Sequence, residues 1–276
     1  MKCFIIGSCG NFHNILSAAI PSRCTLLTAS SLFADDWPAF RGPEGNGFSA
    51  ETDVSATLKQ SWKVDLPGRG LSSPIVIGGK VFITASSGNL QDRLHVFCFS
   101  SKDGSTIWER QFWSTGRTMA HEKTNIAAPT PVSDGKNIYA LYSCNDLVCL
   151  DLEGNLKWLR GLTRDYPNAS NSLGMSSSLQ VSGNTLVVQI ENDSQPLALG
   201  VDTTTGQNRW KLIRPKAANW TTANLLPGAG KGGKTLVALQ SKTGIDALDP
   251  ATGKTEWAYE GGASTIPSST RQGSLL

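Results

Sequence analysis

The residues of this 276-residue chain best suited to chemistry stand in a few polar stretches. Residues 109–127 (ERQFWSTGRTMAHEKTNIA) gather Arg117, His121, Glu122, Lys123 and Asn125. Imidazole titrates near neutral pH and serves as a general base when a carboxylate orients it, so His121 beside Glu122 is the first candidate. In a flexible segment the pair reads as solvated side chains, and no catalytic residue is expected. A second stretch, residues 158–175, carries Arg164, Asp165, Tyr166 and Asn171, and a third carries Arg214, Lys216 and Trp220. Their mixture of cations, amides and aromatic rings suits a peptide, a glycan or a polyanion. The chain shows no Ser/His/Asp spacing, no G-x-S-x-G elbow and no phosphate-binding loop. Cys98, Cys144 and Cys149 lack C-x-x-C or histidine spacing, so no metal site is expected. Cys144 and Cys149 flank an Asn145-Asp146 turn out of register for a disulfide, and buried free thiols are the expectation.

The elements that position these residues are legible in composition and periodicity. With 17% charged residues and 28 glycines, the chain is unlike a coiled coil, a helical bundle or a disordered segment, and an all-β fold with many turns fits. A net charge of +3, without a basic run, excludes a nucleic-acid surface. No stretch of 18 apolar residues exists to span a membrane as a helix. Residues 1–34 differ from the rest: they hold Cys3, Cys9 and Cys24, lack acidic residues, and end in an apolar run from Cys24 to Ala34 preceded by Arg23. That pattern fits a leader cleaved near Ala34, and hence an exported, periplasmic protein, or else a disordered extension.

Five of the eight tryptophans, Trp62, Trp108, Trp158, Trp210 and Trp257, recur at intervals of 46, 50, 52 and 47 residues. Gly104, Gly154, Gly206 and Gly253 each stand four residues before one of them, in SSKDGSTIW, DLEGNLKW, DTTTGQNRW and DPATGKTEW. Upstream, each unit carries short β-rich runs separated by Gly/Asp/Asn turns. In the unit ending at Trp158 the runs are 128–132, 137–143, 147–152 and 155–159. Four short antiparallel strands in about 49 residues describe a propeller blade. Asp ahead of Gly favours a tight turn, and the Trp of an outer strand is expected to cover the joint to the next blade with its indole N–H on a neighbouring carbonyl.

Residues 247–257 (ALDPATGKTEW) fit the A-x-D-x-x-T-G-x-x-x-W motif of the pyrroloquinoline quinone (PQQ)-like propeller repeats, and 202–210 fit all but its first position. Residues 37–47 (WPAFRGPEGNG) resemble the opening of exported PQQ-like propeller proteins. The phrases APTPVSDGK (128–136), NASNSLGMSSS (168–178) and GGASTIPSS (261–269) are similar too. The resemblance covers about residues 36–270. It implies an all-β, quinoprotein-like propeller of four-stranded blades and points toward two relatives. Quinoprotein alcohol and sugar dehydrogenases hold PQQ with calcium on the propeller axis, using Glu, Asn and Asp and in many members a disulfide between adjacent cysteines. This chain has no adjacent cysteines, and Asn125, Glu191, Asn192 and Asp193 are the right types scattered over different units. The propeller scaffold of outer-membrane protein assembly keeps the repeat and binds no quinone.

The connections from outer to inner strands lie on the axial face of a propeller, where ligands sit. They place Arg117, His121, Lys123, Asn125, Asn171 and Trp220 as ligand-face candidates. The five repeat tryptophans and four glycines are structural docking positions. Residues 35–276 give four full blades, an outer strand around Trp62 and an inner-strand candidate at 265–270, so an incomplete ring and a truncated product are expected. The reading is a non-catalytic, exported binding or scaffold module with a protein, peptide or glycan partner and no cofactor. The alternative is a PQQ- and calcium-dependent oxidoreductase, or an inactive fragment of one.

Overall fold

The computed structural model describes residues 2–6, 36–52, 54–55, 57–169, 173–273 and 275–276. The leader boundary at Ala34 and the candidate Asn171 lie outside the described residues. Strand β1 (Lys2–Ile6) pairs antiparallel with β2 (Gln60–Asp65), the outer-type strand that carries Trp62.

Four sheets of four strands follow, each an antiparallel meander in chain order. The first is β3 (Ile75–Ile77), β4 (Lys80–Ser87), β5 (Arg93–Ser100) and β6 (Thr106–Trp113). The second is β7 (Val132–Ser133), β8 (Asn137–Leu141), β9 (Asp146–Asp151) and β10 (Leu156–Gly161). The third is β11 (Gln180–Ser182), β12 (Thr185–Ile190), β13 (Leu197–Asp202) and β14 (Asn208–Ile213). The fourth is β15 (Asn224–Leu226), β16 (Leu236–Ser241), β17 (Gly244–Leu248) and β18 (Thr255–Tyr259). Each first strand touches the first strand of the next sheet, which makes β3, β7, β11 and β15 the inner strands of adjacent propeller blades.

Burial follows from that stacking. Strands β12 and β16 are buried at every position, because both faces of a middle strand meet a neighbouring blade. Strands β2 and β14 bury only alternate residues, chiefly the repeat Trp, since one face of an outer strand meets water.

The joint between blades is the predicted one. The indole N–H of Trp62, Trp108, Trp158 and Trp210 donates to the carbonyls of Ser101, Leu152, Thr203 and Pro250 of the following blade, at 2.8–3.0 Å. Beneath the four rings lie Gly104, Gly154, Gly206 and Gly253. A Cβ on Gly253 would stand 2.7 Å from the Trp210 ring, and its φ of +71° disfavours any side chain. The aspartates of the turn hold it in place: Asp202 Oδ1 accepts from the N–H groups of Thr204 and Thr205, both at 3.0 Å. The backbone hydrogen bond from Thr205 leads the interactions that lower the Asp202 pKa from its ordinary value. Trp257 stands in the same register on β18, yet it is 38% exposed and has no glycine of a further blade beneath it among the described residues.

Residues 37–47 form a strut along the inner strands. Trp37 exchanges backbone hydrogen bonds with Val76, at 2.8 and 3.0 Å, and Ser133 N–H donates to the Pro38 carbonyl at 2.9 Å. Ala39 enters the core beside Val132 and Leu179. Arg41 Nη1 donates to the carbonyls of Ser268 and Ser269 at 3.3 and 3.1 Å.

Three local expectations change. Residues 128–131 are not strand, because Pro129 and Pro131 have no N–H to give a ladder, and β7 shortens to two residues. Residues 265–270 are irregular instead of an inner strand, although they bond across to Trp220, Thr222 and Gln240. The hairpin before β9 turns at Tyr142–Asn145, with Asn145 at φ +68°, so Asp146 already belongs to the strand. The thiols of Cys98, Cys144 and Cys149 are free and buried, and burial pushes those of Cys98 and Cys149 up to about 12.

Trp210 is 8% exposed. Its replacement by alanine removes both the ring over Gly253 and the hydrogen bond to Pro250, and is expected to cost about 3–5 kcal/mol in urea unfolding.

Candidate ligand-binding face

Three long connections, residues 114–131, 162–179 and 214–223, leave the outer strands of the first three blades. Each is anchored to the next blade. Ser114 Oγ and Thr115 N–H donate to Asp146 Oδ2 at 3.2 and 2.9 Å, which fixes the first connection to the start of β9. The second opens with a single helical turn, Leu162–Asp165, whose Leu162 N–H donates to the Asn145 carbonyl at 2.9 Å. Asn145 Nδ2 in turn bonds the Ala169 carbonyl, and Met175 N–H bonds Ser143 Oγ.

The connections are also sewn to one another. His121 N–H donates to the Leu173 carbonyl at 3.1 Å, and Trp220 Nε1 donates to the neighbouring Gly174 carbonyl at 2.9 Å. One short stretch of the second connection thus brings the backbone of His121 and the ring of Trp220 together. Arg117, His121 and Lys123 are exposed, and His121 Nδ1 accepts from the Lys123 N–H at 3.2 Å. Glu122 points no carboxylate at His121; its carbonyl accepts from Arg69 at 3.1 Å. Asn125 is 2% exposed, and its side-chain oxygen has no partner within hydrogen-bonding distance, which sets it apart from its exposed neighbours.

Beneath the third connection lies a buried charge network that the sequence did not reveal. Arg214 Nε donates to Glu191 Oε1 at 2.6 Å, Nη1 to Asp246 Oδ2, and Nη2 to the Leu239 carbonyl at 3.1 Å. Asn219 Nδ2 bridges Glu191 Oε2 at 2.8 Å and the Gln240 carbonyl at 2.7 Å. Burial alone would lower the Arg214 pKa; the charge and hydrogen bonds of Glu191 and Asp246 override it and hold the guanidinium above its ordinary value. The only hint in the sequence was residue type, since the partners lie 23 and 32 positions from Arg214.

This arrangement bears on a calcium-held quinone. Calcium takes about 6–8 oxygen ligands, with carboxylates free to face it. Both oxygens of Glu191 are engaged by Arg214 and Asn219. Asn192 Oδ1 accepts from the N–H groups of Ser194 and Gln195 at 2.8 and 2.7 Å, closing its own turn. Asp193 is exposed, and no group of three or more His, Cys, Asp or Glu side chains converges among the described residues. Glu191 and Asn192 spend their side-chain oxygens inside the protein, while the buried Asn125 Oδ1 has no partner of its own.

Substituting Arg214 by methionine leaves Glu191 buried and unpaired. A loss of about 3–5 kcal/mol is expected in urea unfolding, with part of it recovered when Glu191→Gln is added.

Comparison with known proteins agrees with the geometry. The family described as outer membrane protein assembly factor BamB matches residues 54–173 and 168–273. No curated protein sequence matches the chain. The quinohemoprotein alcohol dehydrogenase from Comamonas testosteroni superposes with a TM-score of 0.63 at 16% identity, covering 84% of this chain and 43% of that one. A europium-containing methanol dehydrogenase gives 0.60 at 12% identity, covering 84% of this chain and 50% of that one. At these identities the likeness is one of fold, and the chain spans half or less of the length of both enzymes. Among the described residues no helix is long and apolar enough to cross a membrane. With both stretches of the family match lying on the tryptophan-docked blades, the chain belongs to the PQQ-like propeller family of outer membrane protein assembly factor BamB.

Proposed function

We propose that the chain is an exported propeller whose connected loops work as a binding or scaffold module, without quinone and without catalysis at that face. The observation that carries this reading is the engagement of Glu191 by Arg214 and Asn219. The carboxylate best placed by type to face a cofactor is spent on holding two blades together. What remains accessible on the connected loops is polar and cationic, with Arg117, His121 and Lys123 exposed, and the His121 backbone and the partly buried Trp220 ring meet at Leu173 and Gly174. Loops on a rigid scaffold that differ in length and keep polar groups exposed suit a macromolecular partner. The family takes its description from an outer membrane protein assembly factor, which supports a protein or peptide partner. The apolar run before Ala34 supports export to the periplasm.

The fold likeness to two alcohol-oxidising enzymes favours a second reading, a PQQ-dependent oxidoreductase. Titration with PQQ and calcium, followed by absorbance and by dye-linked oxidation of alcohols and sugars, separates the two. No bound chromophore and no turnover are expected; saturable binding with turnover would establish the second reading. On the binding side, Arg117→Glu with Lys123→Glu is expected to abolish cross-linking to a periplasmic partner while the melting curve is unchanged. Undiminished capture by that variant would remove this face from the proposal.

A further inference from the structure

The first blade holds a cluster that neither the repeat nor the scaffold reading uses. Across β4, β5 and β6 the register sets Ser87, Arg93 and Trp113 in one row, Ala85, His95 and Gln111 in the next, and Ile83, Phe97 and Glu109 in a third. Rows two residues apart share a face of the sheet. Ser87, His95 and Glu109 therefore lie on a diagonal, within reach of long side chains. The small Ala85 opposite His95 leaves room for the imidazole. Ser87 Oγ is 2.7 Å from His95 Nε2, and His95 Nδ1 is 2.7 Å from Glu109 Oε1.

The hydrogen-bond directions follow from chemistry. In the tautomer that acyl transfer requires, Nδ1–H donates to the Glu109 carboxylate and Nε2 accepts from the Ser87 hydroxyl. The ring is held in that orientation: His95 is 4% exposed and stacks on Phe97 with 5.5 Å between centroids. Ser87 is half-buried, and the Glu109 side chain is 41% exposed. The guanidinium of Arg93, directly across from Ser87, lies 4.8 Å over the ring of the exposed Trp113. A nucleophile bonded to a base, with the base bonded to an orienting carboxylate, is the arrangement that activates serine in acyl transfer.

We propose that Ser87 is a nucleophile activated by His95 and Glu109, acting on carboxylic esters whose anionic or aromatic portion rests on Arg93 and Trp113. As the Ser87 Oγ–carbon bond forms at the ester carbonyl, the hydroxyl proton passes to His95 Nε2. The ester C–O bond then breaks, and the leaving alcohol takes that proton. Water attacks the acyl-serine, gives its proton to His95, and releases the carboxylic acid as Ser87 regains its hydrogen. Glu109 keeps Nδ1–H in place throughout. This chemistry goes beyond the scaffold reading and does not depend on it.

The test uses the full chain with an alkyl fluorophosphonate, read by intact mass and peptide mapping, alongside the release of nitrophenolate from p-nitrophenyl acetate. One label per chain at Ser87 is expected, absent in Ser87→Ala. Labelling is expected to slow about 100-fold in Glu109→Gln, which keeps the shape and removes the charge. Circular dichroism checks the folding of each variant. If Glu109→Gln does not fold, the wild-type chain decides: label confined to Ser87 supports the proposal. No label on folded protein, label spread over exposed serines, or an unchanged rate in folded Glu109→Gln would overturn it.

Discussion

Everything else in this protein depends on one contact repeated between blades: an indole ring laid over a bare glycine turn, with its N–H donated to the turn's carbonyl. A β-sheet blade is hydrophobic on both faces and cannot bury them alone. The Trp–Gly joint sets how closely successive blades approach, and the glycine is obligatory because any Cβ would enter the ring. Asp202 and its equivalents shape the turn that receives the ring. Two of the joints carry a further clasp, from Arg110 to the Gly154 carbonyl at 2.6 Å and from Arg160 to that of Gly206 at 2.9 Å.

Because the blades are fixed in this way, the connections between them can vary. Long loops leave three outer strands, tie down to the next blade through Asp146, Asn145 and Ser143, and meet one another at Leu173 and Gly174. The Arg214 network plays a related part at the joint of Trp210, where two carboxylates and a buried guanidinium lie alongside the apolar cluster of Trp210, Val187 and Leu239. Such a network adds less stability than a well-packed core and is intolerant of losing one member.

Much of the fold was legible in the sequence because the repeat is local. Trp, Gly and Asp within nine positions of each other report a turn and a docked ring, and four such segments in phase report blades. The inner strands were less legible, since β7 shortens beside two prolines and 265–270 never pairs as a strand. The site was least legible. His121 and Trp220 could be placed on one face by loop order, but the chemistry-bearing contacts join residues by cross-strand register. Ser87 and Glu109 stand 8 and 14 positions from His95, and no spacing in one strand predicts a diagonal across three. Arg41 was visible only as part of an opening motif, while in the fold it ties that motif to residues 268 and 269.

Hydrogen exchange of the indole N–H groups, followed by NMR at single-tryptophan resolution, tests the joint most directly. The four indoles of Trp62, Trp108, Trp158 and Trp210 should be protected and exchange only with global unfolding, while that of the half-exposed Trp257 exchanges fast. Exchange of the four at the rate of Trp257 would contradict the claim that these rings hold the blades together.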